Sequence, residues 1–141
     1  MKKVAVIYWS NGGNVEVLAD AIYNGAKENG SEVIIKQVSE ARIDDVVNAD
    51  AVAFGSPSMD NNRIEQQEME PFIKQFKLLP NGGKPVVLFG SFGWDEGKFI
   101  ESWKSTMQDY GFNVIGQIAV KEAPDQDEIH KAKDLGKLLA K

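Results

Sequence analysis

A short polar turn from Ser10 to Asn14 follows the apolar run Val4–Tyr8 and precedes a segment with helical character. Amides at the start of a helix are unpaired and lie at the positive end of its dipole, so they bind an anion when glycines allow close approach. Gly12 and Gly13 provide that access. The turn has no Lys or Arg and lacks the Walker lysine, which argues against nucleotide hydrolysis. The pattern predicts a neutral phosphate-binding loop, with a plain tight turn capped by Asn14 as the alternative.

Two further loops carry side chains suited to a flat ligand. The stretch "GSPSMDNNRIEQQEMEPF", which starts at Gly55, is longer than a minimal strand-to-helix connection, as binding loops often are. In it Met59 stands among polar residues, and its thioether either caps the core or packs on an aromatic ring. The stretch "FGSFGWDEGKF" holds Trp94 in a glycine-flanked turn, where an indole exposes apolar area unless a ligand covers it. Met59 and Trp94 are therefore candidates to contact the two faces of a planar ring.

Apolar runs that mostly lack polar alternation predict strands buried on both faces. Five such strands alternate with five helical segments, and this alternation predicts an α/β fold with a five-stranded parallel sheet between two helical layers, a doubly wound three-layer sandwich. Ligands bind such sheets beyond the carboxyl ends of the strands, so the loops 10–14, 56–63 and 91–97 are expected to converge. The predicted strands are Val4–Tyr8, Val33–Val38, Ala51–Phe54, Val86–Phe89 and Val114–Val120, and the predicted helices are Val15–Glu28, Ile43–Asn48, Glu65–Phe76, Gly97–Tyr110 and Gln126–Lys141.

The composition limits the possible functions. A chain of 141 residues, 43% of them hydrophobic, fits one domain spanning 1–141. The absence of cysteine excludes disulfides, Cys-ligated metals and thiol catalysis. No apolar run is long enough for a signal peptide or a membrane span, so we expect a cytoplasmic protein. The net charge of -5 argues against nucleic acid and favours basic protein partners, or serves solubility alone.

The motifs themselves resemble a known family. The stretch "YWSNGGNVE" resembles the Ser-Gly-Thr-Gly-Asn-Thr-Glu phosphate loop of flavodoxins, and "SMDNNRIEQQEMEPF" and "LFGSFGWDEGKF" are similar to the two ring-contacting loops of the short-chain clostridial type. The resemblance covers essentially the whole chain and lacks the insertion that splits the last strand in long-chain members. It implies the strand order 2-1-3-4-5, non-covalently bound FMN and no metal. It further implies a low-potential one-electron carrier, without a substrate or catalytic residues of its own, that uses the semiquinone and hydroquinone states.

The resemblance also implies roles for residues of the phosphate loop. Ser10 and Asn14 would donate side-chain hydrogen bonds to the phosphate, while Gly12, Gly13 and Val15 would offer backbone amides. Gly12 and Val15 stand where the family usually has threonines, so two hydroxyl donors are missing.

For the ring, the resemblance implies that Met59 packs on the inner face and Trp94 on the outer face. Asn62 stands where relatives often carry a Glu that accepts from the flavin N3–H, and the peptide between Asp60 and Asn61 occupies the position that reorients on reduction. The expected cofactor-binding residues are Ser10, Asn11, Gly12, Gly13, Asn14, Val15, Ser56, Pro57, Ser58, Met59, Asp60, Asn61, Asn62, Ser91, Phe92, Gly93, Trp94 and Asp95.

The family's partners are redox proteins such as ferredoxin or flavodoxin reductases and 2-oxoacid oxidoreductases, and we expect a monomer that binds neither nucleic acid nor membranes. An NAD(P)H-dependent quinone or flavin reductase of the same fold is the alternative, although 141 residues leave little room for a nicotinamide pocket. A phospho-receiver domain is disfavoured because the first and third strands do not end in aspartate. The acidic cluster is either a solvated face or a surface that orients basic partners; it comprises Glu65, Glu68, Glu70, Asp95 and Glu96.

Overall fold

Five parallel strands form one sheet in the order β2-β1-β3-β4-β5, as expected. The computed structural model describes residues 2–59, 62–93 and 96–141, so the expectations for Asp60, Asn61, Trp94 and Asp95 lie outside the described residues. In the sheet, Tyr8 pairs with Gly55, and Gly55 pairs with Phe89, so the ends of three neighbouring strands lie side by side. The strands are β1 (Lys3–Tyr8), β2 (Glu32–Gln37), β3 (Ala51–Gly55), β4 (Pro85–Phe92) and β5 (Asn113–Lys121).

Helices cover both faces of the sheet, which makes the fold doubly wound. Alternate residues of the inner strands point to opposite faces, so Val6 and Phe89 pack with the first and last helices, while Ile7 and Phe54 pack with the other three. Both faces are therefore dry, which explains the uninterrupted apolar runs of these strands. The helices are α1 (Asn14–Glu28), α2 (Ile43–Val47), α3 (Met69–Lys74), α4 (Lys98–Asp109) and α5 (Gln126–Leu139), and none within the described parts of the chain is long and apolar enough to cross a membrane.

Most predicted helix and strand boundaries differ from those of the structure by one to four residues, and three of these differences are the following. The helix expected to start at Glu65 starts at Met69. The Glu65 carboxylate accepts hydrogen bonds from the backbone amides of residues 67, 68 and 69 and holds these residues in a turn. Val38 belongs to a short 3-10 helix, Val38–Glu40, and not to the second strand. The fourth strand continues through Ser91 to Phe92, because β5 is long enough to pair with it as far as Lys121.

Two glycines allow the backbones of α1 and α5 to contact each other. A Cβ on Gly25 would lie 2.0 Å from the carbonyl oxygen of Lys133, and one on Gly136 would lie 2.0 Å from the carbonyl oxygen of Ile22. Backbone atoms cannot move aside as a flexible side chain does, so these positions admit only glycine. The contact sets the distance between the two helices, and with it the position of α1 over the sheet.

We predict that Gly136→Ala destabilises the protein by about 1–3 kcal/mol, because the added methyl group overpacks a backbone contact. The free energy of unfolding from urea titration measures the effect. Lys131→Ala, on the exposed face of the same helix, is the control and should change stability by less than about 0.5 kcal/mol. Equal stabilities for Gly136→Ala and the control would show that the helices separate freely.

Candidate cofactor site

The first loop has the backbone geometry of an anion site. Gly12 has a φ of 144° and Gly13 a φ of 93°, values that L side chains rarely adopt. Gly13 is the N-cap of α1, so the alternative in which Asn14 caps the helix is wrong. Within the described residues no side chain caps this end, and the first helical bond is from the Val17 amide to the Gly13 oxygen at 3.0 Å. The amides before Val17 are therefore left for an acceptor from outside the helix.

Two neighbouring strands hold the start of this loop. The Gln37 side chain, at the end of β2, contacts both backbone groups of Ser10: its Oε1 accepts from the Ser10 amide and its Nε2 donates to the Ser10 oxygen, both at 3.4 Å. The Trp9 amide donates to the Gly55 oxygen at 3.0 Å. Sequence reasoning missed Gln37, although the parallel register that pairs it with Tyr8 places it beside the loop.

Tyr8, the last residue of β1, links the strand to the first turn of α1. Its phenol lies close to the Glu16 carboxylate in the first turn of α1. Burial, reinforced by the negative charges of Glu16 and Asp20, raises the pKa of Tyr8, so the phenol stays protonated. Burial, together with the charge of Glu16, also raises the pKa of Asp20. The base of the loop thus has a protonated phenol beside two carboxylates, Glu16 and Asp20.

The three loops converge, as predicted from the fold class. One small cavity is lined by the first loop together with a residue of the second loop and one at the end of β4: Trp9, Ser10, Asn11, Gly12, Gly13, Asn14, Val15, Pro57 and Ser91. Backbone hydrogen bonds fix the second loop to β4, since the Ser56 amide donates to Phe89 at 3.1 Å and the Ser58 amide to Ser91 at 2.7 Å. Residues far apart in sequence therefore form one rim at the carboxyl edge of the sheet.

The second loop narrows to a tight turn. The Met59 amide donates to the Arg63 oxygen at 2.6 Å, and the two residues form an antiparallel bridge. Asn62 has a φ of 56°, a left-handed conformation that asparagine tolerates better than most residues. Met59 is 43% exposed, so it does not cap the core, and its side chain is accessible to a ligand. The Arg63 guanidinium pairs with Glu70 at 2.6 Å.

The third loop begins inside the sheet. Ser91 is buried and Phe92 half-buried in β4, whereas Gly93 is exposed, and a methyl group added to its Cα would meet no atom within 4 Å. The Glu122 amide donates to the Phe92 oxygen at 2.9 Å and fixes the strand end. The backbone beside Gly93 is therefore open to close approach by a ring edge.

The acidic cluster divides into different roles. Glu65 is 3% exposed, so the expectation that it lies on a solvated face is wrong for this residue. Glu68 accepts a hydrogen bond from Trp9 Nε1 at 3.0 Å, and Glu70 pairs with Lys74 at 3.5 Å as well as with Arg63. Glu96 is exposed beside the third loop. Across the described ranges, no group of three or more His, Asp or Glu side chains is placed to hold a metal ion.

Comparisons with known proteins agree with this geometry. A model of the flavodoxin family matches residues 6–136. The chain is 37% identical to flavodoxin from Megasphaera elsdenii over 139 residues, which covers 98% of each protein. It is 36% identical to flavodoxin from Clostridium beijerinckii over 124 residues, 87% of this chain and 89% of the relative. The chain belongs to the flavodoxin family. The solution structure of two-electron reduced Megasphaera elsdenii flavodoxin superposes on it with a TM-score of 0.85 at 35% identity, over 97% and 98% of the two chains.

Flavodoxins bind FMN and carry electrons between redox proteins, and this chain is such an electron carrier rather than an enzyme. The reductase alternative is not better supported, because the relatives of near-equal length are flavodoxins. The residues present fit the cofactor: positive-φ glycines, uncapped helix amides and neutral side-chain donors suit a phosphate, while an exposed Met and an open glycine edge suit a flat ring. FMN supplies the redox-active ring, and the chain's own residues bind and orient it.

Val15 gives a test of the phosphate loop. Its side chain is 2% exposed and packs in the apolar cluster under α1, yet the residue also lines the cavity. We predict that Val15→Thr, which keeps the side-chain shape, tightens FMN binding about tenfold by adding a hydroxyl donor to a charged group. Fluorescence titration of the apoprotein measures the affinity.

Riboflavin, which lacks the phosphate, is the control ligand for this variant, and its affinity should stay the same. Equal gains for FMN and riboflavin would show that the threonine acts through packing of the helix and not through the phosphate.

Proposed function

We propose that the loop from Ser10 to Val15 holds the FMN phosphate and that the second and third loops hold its ring. The observation that carries the proposal is the uncapped start of α1 behind two positive-φ glycines, in a cavity shared with Pro57 and Ser91. Backbone amides and the side chains of Ser10 and Asn14 provide donors without a formal charge. A dianion is bound by oriented dipoles at a helix start, and no cation is needed.

For the ring, we propose that Met59 packs on its inner face and that the backbone of Ser91, Phe92 and Gly93 contacts its polar edge. The exposure of Met59 and the open space at Gly93 support these contacts. Asn62, exposed in the tight turn, takes the position of an acceptor for the flavin N3–H. Asp60, Asn61, Trp94 and Asp95 complete the proposed site from the sequence pattern, with Trp94 on the outer face.

The Gly13 backbone provides the sharpest test of the site. Gly13→Ala puts a methyl group on a residue with a φ of 93°, and strain of about 1–3 kcal/mol either distorts the loop or destabilises it. We predict that FMN affinity falls at least tenfold. Gly83→Ala is the matched control, because Gly83 also has a positive φ, 71°, and open space around it, but lies between α3 and β4.

The control should lose stability to a similar extent and bind FMN as the parent protein does, measured by fluorescence titration. If the two variants lose FMN affinity equally, strain alone explains the effect and the loop is not the phosphate site. If Gly13→Ala binds FMN normally, the proposed site is wrong.

As partners we propose ferredoxin or flavodoxin reductases and 2-oxoacid oxidoreductases that present basic surfaces to a monomer in the cytoplasm. Two features support a basic partner: the net charge of -5 and the exposed acids Glu96 and Glu122 beside the third loop. Complementary charge speeds encounter and orients a partner more than it adds affinity.

We predict that the rate of electron transfer to a ferredoxin reductase falls about tenfold as salt rises from about 0.01 M to about 0.15 M, because salt screens the attraction. The double variant Glu96→Gln with Glu122→Gln should flatten this salt dependence in stopped-flow measurements. Glu32→Gln with Asp109→Asn changes two exposed acids at the start of β2 and the end of α4, which lie at the opposite edge of the sheet, and should leave it nearly unchanged. Identical slopes in both double variants would place the docking surface elsewhere.

A further inference from the structure

We infer that Glu65 is a positioning residue that holds the ring-contacting loop and the phosphate loop in their binding geometry before FMN binds. The inference rests on the proposed site. Glu65 lies two residues after Arg63, the end of the ring-contacting loop, and is 3% exposed. Carboxylates are almost never this buried unless hydrogen-bonded partners replace the lost water.

The partners are three consecutive backbone amides. Glu65 Oε2 accepts from the Gln67 amide at 2.7 Å, and Oε1 accepts from the amides of Glu68 and Met69 at 2.7 and 2.8 Å. Glu68 is the N-cap of α3 and Met69 its first residue, so the carboxylate satisfies donors that the helix itself leaves unpaired. Because α3 has only 6 residues, it depends on such external contacts more than a long helix does.

The backbone of Glu65 closes the base of the ring-contacting loop. Its amide donates to Ser56 Oγ at 2.8 Å, and Ser56 Oγ donates in turn to the Pro57 oxygen at 2.9 Å. Ser56 is fully buried, so this bond is shielded from water. Both ends of the segment that contains Met59 and Asn62 are therefore joined through one serine hydroxyl.

The same turn reaches the phosphate loop. Glu65 holds the amide of Glu68, and the Glu68 carboxylate accepts from Trp9 Nε1 at 3.0 Å. Trp9 immediately precedes Ser10, and its own amide donates to Gly55 at the end of β3. One buried carboxylate thus determines where two loops lie relative to each other, without any contribution from the cofactor.

A glutamine at position 65 keeps the size of the side chain but cannot accept all three hydrogen bonds from the amides of residues 67–69. Its oxygen can still accept from the amides of Glu68 and Met69, but its NH₂ group would face the Gln67 amide, donor against donor. A buried donor without an acceptor is costly, so the turn relaxes. We therefore expect Glu65→Gln to loosen the loop rather than to unfold the protein.

The experiment compares Glu65→Gln with Glu101→Gln. Both remove one negative charge, but Glu101 is exposed on α4, where its carboxylate accepts from Gln117 Nε2 at 2.6 Å, and an exposed substitution of this kind changes little. Amide hydrogen exchange in the apoprotein measures how well the backbone amides of residues 67–69 are protected by their hydrogen bonds to residue 65. Fluorescence titration gives the affinities for FMN and riboflavin, and urea unfolding gives the stability of each variant.

We expect Glu65→Gln to accelerate exchange at residues 67–69 and to weaken FMN and riboflavin alike, each about tenfold, because both ligands carry the ring. Glu101→Gln should change these quantities less than about twofold. A loss of stability with unchanged ligand affinity would overturn the inference, since Glu65 would then support only the fold. Equal effects of the two variants would overturn it too, since charge alone would explain them.

If Glu65→Gln does not fold, Ser56→Ala decides the matter, because it removes only the link at the base of the loop. The inference predicts weaker riboflavin binding in a folded Ser56→Ala protein, and unchanged binding would contradict it. Failure of the proposed site would give a different result, because the parent protein itself would then bind FMN no better than riboflavin. Amide exchange at residues 67–69 would still be faster in Glu65→Gln than in the parent protein.

Discussion

The open amides at the start of α1 are the constraint on which the site depends. A helix start that no described side chain caps leaves donors unsatisfied, and two positive-φ glycines in front of it cost conformational freedom. The rest of the fold holds this unfavourable arrangement in place. Gly25 and Gly136 let α1 contact α5 backbone to backbone, and Val15 and Leu18 bury the helix against the sheet. In the site proposed above, the FMN phosphate is the acceptor for these amides.

The ring-contacting loop is organised by a different principle. It is too long to be fixed by its two ends alone, and the described residues at its tip, Met59, Asn62 and Arg63, are exposed. Its position comes from polar groups buried underneath it: the Ser56 hydroxyl, the Glu65 carboxylate and the amides that they satisfy. Such groups are costly to bury unpaired, so a fully paired set has one low-energy arrangement. These paired groups therefore fix the two ends of the loop, at Ser56 and at Glu65.

The sequence predicted the framework because apolar periodicity reflects burial, and burial is a property of long segments. All five predicted strands and all five predicted helices occur, with boundaries shifted by up to four residues, and the convergence of the three loops followed from parallel strands ending at one edge. The strand order came from the family resemblance and not from periodicity. The contacts that could not be predicted are made by single side chains that meet across the fold. The Glu65 carboxylate binds the backbone amides of residues 67–69, where a first helical turn is expected, and the Gln37 side chain binds the backbone of Ser10. A glutamate before a helix has the same local pattern whether it points outward or folds back onto the amides.

The most direct test of the neutral phosphate site is the amide spectrum of the apoprotein. We expect FMN to shift the ¹H and ¹⁵N resonances of residues 13–16 strongly, as hydrogen bonds to the phosphate form. Riboflavin should shift them little, while it still moves the resonances around Met59 and Gly93. Equal shifts at residues 13–16 with both ligands, or none with FMN, would show that the start of α1 does not bind the phosphate.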